Sequence, residues 1–262
     1  MTSPTPTDDD AAAALAALGL TRIELEPRGP VLAAWLNRPA VRNAHDQAMI
    51  RDVETLFSAL SEQTAIRVVV LGGRGKSFCA GADRRERRAA ASNERATRYA
   101  SQLGRRATRA IEDCEAVTVA RVHGHAVGGG CCFALSCDFR LTTADALWYV
   151  PEVELGVPLP WGATPRLISE IGMARARRFV MTSERVDGTT AQQWGMAHEA
   201  VADDAELDAA VERWTQRLLD LPALSVQMTK HQLRGYARTA RLGDLSEFDG
   251  DAAASAAGSD DA

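Results

Sequence analysis

Between residues 122 and 140 the chain reads Val122-His-Gly-His-Ala-Val-Gly-Gly-Gly-Cys-Cys-Phe-Ala-Leu-Ser-Cys-Asp-Phe-Arg140, which sets consecutive glycines between a strand-like apolar run and a helix-like apolar run. A turn of this kind leaves the first N–H groups of the helix unpaired, and the helix adds about half a positive charge at that end. Whatever sits against Gly129 and Gly130 is therefore expected to be rich in oxygen or to acquire negative charge. A second loop, Gly75-Lys-Ser-Phe-Cys-Ala-Gly-Ala-Asp83, lies upstream. Two N–H donors from separate loops, converging on one oxygen, form an oxyanion hole.

The 262 residues suffice for one large domain, or for a domain with a helical appendage. A net charge of −5 argues against a nucleic-acid partner, because phosphate neutralisation needs a basic face. Residues 1–10 have no basic leader, and the apolar run Ala11 to Leu20 is too short to span a membrane, so a soluble, cytoplasmic protein is expected. Five cysteines, mostly within apolar sequence, suit a reducing compartment. Cys131, Cys132 and Cys137 do not have zinc-site spacing, and no metal is expected.

Alternating strand and helix patterns indicate an α/β layered fold. Leu20 to Leu25 and Val31 to Leu36 read as a hairpin turned by residues 26–30. Asn43 can cap the next helix, where Met49, Ile50, Val53, Leu56, Phe57 and Leu60 recur at helical spacing. Ile66 to Leu71 is a continuous apolar strand that predicts burial on both faces. Arg84 to Tyr99 reads as an irregular helical segment, either a solvated charged face or a lid. Val117 to Val122 and Asp138 to Thr142 are further strands. Beyond Trp161 the pattern is helical: Ala163 to Ile171, Ala174 to Met181, Thr189 to Trp194, Ala205 to Leu219 and Ala223 to Tyr236. The expected organisation is a loosely ordered extension (1–19), a core with the site (20–160), a helical oligomerisation region (161–242) and a disordered tail (243–262).

Val68 to Ser77 does not make a phosphate loop, because Val70 stands where the Gly-x-x-x-x-Gly-Lys-Ser pattern needs glycine. The glycines of 124–130 also lack dinucleotide-fold spacing. By contrast, Leu36-Asn-Arg-Pro-Ala-Val-Arg-Asn-Ala44, Ser77-Phe-Cys-Ala-Gly-Ala-Asp83, Gly124-His-Ala-Val-Gly-Gly-Gly130 and Ala134-Leu-Ser-Cys-Asp138 occur in the order seen in the crotonase (enoyl-CoA hydratase/isomerase) superfamily. Pro151-Glu-Val-Glu-Leu-Gly156 and Ala191-Gln-Gln-Trp-Gly-Met-Ala197 extend the resemblance, which runs from about Ile23 to Tyr236. It implies a crotonase (ClpP-like) spiral of ββα turns, with a C-terminal helical region that packs a homotrimer or a dimer of trimers. It also implies an acyl-CoA substrate and no further cofactor, with the thioester oxygen between the amides of Ala82 and Gly129. The implied CoA contacts are Arg42, Ala44, Ala80, Gly81 and Asp83, and Gly128 and Cys132 border the acyl group. Arg42 suits phosphate, or is simply an exposed solubilising arginine.

Hydratases of this superfamily hold a water between two glutamates. The first of these positions is Cys132 here and the second is Glu152. A buried thiol is a poor substitute for a carboxylate base. One glutamate still suffices for the single-base Δ3,Δ2-enoyl-CoA isomerases that this active-site pattern resembles most, in which the same carboxylate moves a proton from C2 to C4. Fatty-acid metabolism follows as the expected setting. Glu154 competes for the role, but in an extended segment it would face away from Glu152. Trp148, Tyr149, Val150, Leu159 and Trp161 either line an acyl pocket that would raise the pKa of Glu152 or pack ordinary core. Enoyl-CoA hydratase and a non-catalytic acyl-CoA-binding homologue are the alternatives, and thioester hydrolysis or decarboxylation is also compatible with such a fold.

Overall fold

The computed structural model describes residues 13–86, 99 and 101–239. Among these residues the main sheet has six strands, and a separate layer has two. Strands β1 (Ile23–Arg28) and β2 (Val31–Leu36) form an antiparallel hairpin. β3 (Val68–Gly73), β4 (Val117–Val122), β6 (Phe139–Thr143) and β8 (Glu199–Val201) then add in parallel. β3 and β4 are buried at every residue, as expected for a continuous apolar run covered on both faces.

Each pass through the sheet continues into a short inner segment and then a helix. β4 leads to β5 (His125–Val127) and α3 (Gly129–Ser136). β6 leads to β7 (Leu147–Tyr149), a 3-10 turn at Val153–Leu155, and α4 (Ala163–Met181). β3 leads to Cys79, which bridges Ala126 of β5, and later to α2 (Leu103–Asp113). This is the expected ββα spiral. It brings the loop after β3 and the glycines before α3 together at one edge of the inner layer.

Helix α1 (Gln47–Leu60) buries Met49, Ile50, Val53, Leu56, Phe57 and Leu60, the stripe visible in the sequence, chiefly against α2. Removing one large member of such a stripe, as in Phe57→Ala, costs roughly 3–5 kcal/mol. The opposite face of the sheet is closed by α6 (Asp204–Leu219), whose Leu207 and Ala210 pack on Val68, Val119 and Leu141. Helices α5 (Gly188–Trp194) and α7 (Ala223–Thr239) complete the C-terminal part. Among the described residues, no helix is long and apolar enough to cross a membrane.

Several expectations are corrected. β1 runs on through Pro27 to Arg28; it is an edge strand, where a missing N–H costs no ladder bond on its open side. Asn43 does not cap α1. Asp46 does, accepting from the Met49 amide at 2.8 Å, and Asn43 is a buried left-handed residue. By contrast, the two helices expected as Ala163 to Ile171 and Ala174 to Met181 are both present within α4, meeting at Gly172, whose φ of 75° and ψ of 160° are not helical. The segment 161–242 is not purely helical, since β8 pairs with β6. Within the extension 1–19, residues 13–16 make a helical turn and Leu15 is buried in the main core. Of Arg84 to Tyr99, residues 87–98 lie outside the described residues, as does the tail 243–262.

Candidate active site

The first wall of the site is the paired loops around residues 42–45 and 79–83. Asn43 anchors the first of them to the segment leading into the second: its Nδ2 donates to the carbonyls of Arg74 (2.8 Å) and Ser77 (2.7 Å), and its Oδ1 accepts from the Arg38 amide at 2.8 Å. His45 and Ala82 then form a parallel bridge. The His45 amide donates to the Gly81 carbonyl at 2.7 Å, and the Asp83 amide donates to the His45 carbonyl at 2.9 Å. In this register the Ala82 amide points away from His45, and it donates to no group among the described residues.

The second wall is the start of α3. Gly128 has φ 50° and ψ −118°, a backbone that only glycine adopts freely. Its amide donates to the Tyr149 carbonyl at 2.8 Å, which fixes the turn. The Gly129 amide, the first of the helix, also donates to no group among the described residues. A Cβ at Gly81 would meet the Val127 carbonyl at 3.0 Å, so the two loops touch. Both expected oxyanion donors are thus unpaired and stand on adjoining loops.

Glu152 lies beside this turn. A Cβ at Gly128 would come within 2.8 Å of its Oε1. Glu152 Oε2 is buried without a hydrogen-bond partner among the described residues, and burial raises the carboxyl pKa from 4.5 to about 7. The proton-bound and ionised forms are then both populated near neutrality, which suits a general acid/base. Glu154 is exposed and bonded to the Tyr149 hydroxyl. The two glutamates differ in environment, but not through strand parity: residues 153–155 are a 3-10 turn, not an extended segment.

The remaining expected residues divide. Cys132 is buried in α3 at 1% exposure, one residue from Cys131. The Cys131 thiol is held protonated by burial first and by the Glu152 charge second, which places α3 within electrostatic reach of that carboxyl. Trp161 reaches the site: its ring fills the space a side chain at Gly129 would need. It holds φ 67°, fastened through its carbonyl by Thr108 Oγ1 (2.9 Å) and Arg166 Nη1 (2.8 Å). Trp148 is core, fully buried with its indole N–H on Thr142 at 3.2 Å. Tyr149 contributes its carbonyl, while its ring lies under Arg185. Val150 and Leu159 are core as well.

On the outer side, Arg42 is exposed and in the left-handed region, with Nη1 3.4 Å from His125 Nε2. Its carbonyl accepts from the Ala80 amide at 3.0 Å. The Ala44 carbonyl accepts from Arg38. Asp83 is clamped by Arg85 and by Arg38 (3.0 Å), and those guanidinium bonds hold its carboxyl well below the usual range. Its side chain buttresses the loop.

Sequence reasoning overlooked His45 and Phe133. The His45 ring stacks with Trp161 at 5.0 Å and with Phe133 at 6.1 Å between centroids. Burial lowers its pKa to about 4, so the ring is uncharged at neutral pH. The only signal was a histidine standing just before the Asp46 cap.

A family model described as Enoyl-CoA hydratase/isomerase matches residues 27–260. The chain is 33% identical over 208 residues to 2,3-dehydroadipyl-CoA hydratase of Escherichia coli (strain K12), covering 78% of each. It is 30% identical over 206 residues to the peroxisomal Delta(3,5)-Delta(2,4)-dienoyl-CoA isomerase of Arabidopsis thaliana, covering 74% of each. An enoyl-CoA hydratase/isomerase crystal structure from Mycobacterium paratuberculosis superposes with a TM-score of 0.85 at 23% identity, over 92% of this chain and 95% of that one, a likeness of fold.

Proposed function

Because the chain belongs to the enoyl-CoA hydratase/isomerase family, we propose that it is a Δ3,Δ2-enoyl-CoA isomerase of fatty-acid metabolism with Glu152 as its single acid/base. The thioester oxygen of a 3-enoyl-CoA sits between the Ala82 and Gly129 amides. The Glu152 carboxylate takes a C2 proton, and the electrons of that C–H bond flow toward the carbonyl to give a dienolate. The protonated Glu152 then returns the proton to C4; the remaining double bond moves to C2–C3 and the carbonyl re-forms. Each oxyanion donor is worth about 3 kcal/mol of barrier.

The observation that carries this reading is the Glu152 carboxyl beside the glycine turn, its Oε2 buried with no hydrogen-bond partner among the described residues, with Cys132 where a second carboxylate would be. The second reading, enoyl-CoA hydration, is favoured by a relative named as a hydratase. Rates of 3-enoyl-CoA isomerisation and trans-2-enoyl-CoA hydration, measured on one preparation, separate the two. Isomerisation should be much the faster, and efficient hydration would sink the assignment. Tight binding of short, long and aromatic acyl-CoAs without turnover would favour a non-catalytic binding protein.

The protein acts in the cytoplasm on acyl-CoA alone, with no other cofactor. Arg42 and the backbone of Ala44, Ala80, Gly81 and Asp83 carry the CoA moiety. A homotrimer or a dimer of trimers covers the exposed Leu224, Met228, Leu233 and Tyr236 of α7. Sedimentation showing only monomer at micromolar concentration would contradict that assembly.

A further inference from the structure

His45 is the residue through which the two walls of the site are mechanically joined. Its backbone is bonded on both sides of Ala82, accepting from Asp83 and donating to Gly81. Its side chain crosses to the other wall, where Nε2 lies within 3.0 Å of the place a Cβ on residue 129 would take. Gly129 is therefore required to lack a side chain partly because this imidazole occupies the space. Trp161, tilted at 48°, and Phe133, edge-on at 68°, hold the ring in that orientation. The residue is only 7% exposed, so a group bound against the ring meets a largely desolvated nitrogen able to hydrogen-bond.

We propose that His45 is a third hydrogen-bond donor of the acyl site, presenting Nε2–H to the thioester oxygen held by Ala82 and Gly129. The inference rests on the reading of those two amides as the thioester site. A donor role fits the chemistry of the ring better than a base role. Burial is the largest influence on it and keeps it uncharged; Asp46 and Asp83 pull toward protonation, and Arg38 pushes against it. An imidazole that resists protonation to about pH 4 is a weak base, yet it keeps one N–H in its neutral form. A neutral imidazole polarises a carbonyl as the enolate forms without giving up its proton, which leaves proton transfer to Glu152.

The test uses trans-cinnamoyl-CoA, whose absorption moves to longer wavelength when its thioester carbonyl is polarised. Bound to the unmodified protein it should show that shift. His45→Leu should lose a large part of it, His45→Gln, which keeps an N–H donor, should retain most of it, and Glu152→Gln should leave it intact. In isomerisation, His45→Leu should lower kcat on the order of 10²-fold, as for loss of one oxyanion donor, with KM changed less than about threefold. An unaltered shift and kcat in folded His45→Leu would overturn the proposal. Should the variants fail to fold, ¹⁵N labelling of the histidine rings in the unmodified protein bound to butyryl-CoA decides the matter: His45 Nε2 must carry the proton, and an unprotonated Nε2 refutes the role. A normal shift in a protein that does not isomerise counts against the Glu152 shuttle and leaves the His45 assignment standing.

Discussion

Two carboxylates flank the site, one on each wall, and their surroundings are opposite. Asp83 is held by two arginines and stays ionised far into acid. Glu152 has no cationic partner among the described residues; burial alone acts strongly on it and raises its pKa to about 7. One environment spends the charge on holding two loops in register, and the other leaves a proton that can come and go. Where carboxylates in one cleft are pushed in opposite directions, the group raised toward neutrality is the one fitted for proton transfer. The same contrast holds among the amides. Those of Asp83 and Gly128 are bonded and build the walls, while those of Ala82 and Gly129 have no partner among the described residues.

The contrast breaks most severely at Glu152. Glu152→Gln should lower the isomerisation rate on the order of 10² to 10⁴ with binding largely kept, as for removal of a general base; an enzyme still active within a few-fold would end the assignment. Gly129→Pro, which deletes a donor and puts atoms where the His45 and Trp161 rings lie, should remove at least about 3 kcal/mol of transition-state stabilisation, read as a fall in kcat/KM. Asp83→Asn should cost roughly 1–2 kcal/mol of stability at neutral pH, between the values for exposed and buried ion pairs, and less than tenfold in rate.

The two acids should also have opposite pH signatures. Glu152 is raised, so the folded state binds the extra proton and stability falls as pH climbs from about 4.5 to about 7. Glu152→Gln should remove that fall and gain stability over the unmodified protein at the upper end. Asp83 is lowered, so its contribution is present above the usual carboxylate range and is lost as pH drops below it. Asp83→Asn should therefore destabilise at neutrality and be nearly silent in acid. Thermal melts from pH 4 to 8 read the Glu152 slope, and melts taken downward from pH 4 read that of Asp83. The smallest effect belongs to Cys132→Ala, which should alter isomerisation less than about threefold, because a buried thiol takes no part in moving the proton.

The sequence exposed those parts of the molecule whose residue type has little freedom. Glycines at a strand-to-helix turn and the buried stripe of α1 follow from backbone freedom and periodicity, and Glu152 was marked by the resemblance of its Pro-Glu motif. Helix α2 was missed because its buried Leu103, Ala107 and Ile111 are spread among arginines and Gly104, which blurs the apolar face. β5, β7 and β8 are three residues each, too short for an alternating pattern to show. The α1 cap was misplaced because Asn43 and Asp46 are both good capping types, and only the tertiary bonds of Asn43 to Arg74 and Ser77 decide between them. Trp148 and Trp161 looked alike as pocket aromatics, yet one pairs with Thr142 in the core and the other leans on Gly129. His45 was invisible because its place follows from contacts with Ala82, Gly129 and Trp161, all distant in sequence.

The proton itself gives the most direct test of the single-carboxyl account. A 3-enoyl-CoA deuterated at C2 should be turned over in ordinary water by the unmodified protein and its product examined by mass spectrometry and NMR. Glu152 as sole carrier predicts trans-2-enoyl-CoA with part of the deuterium delivered to C4. A product with water added across C2–C3 as fast as it forms, and no deuterium at C4, would contradict it.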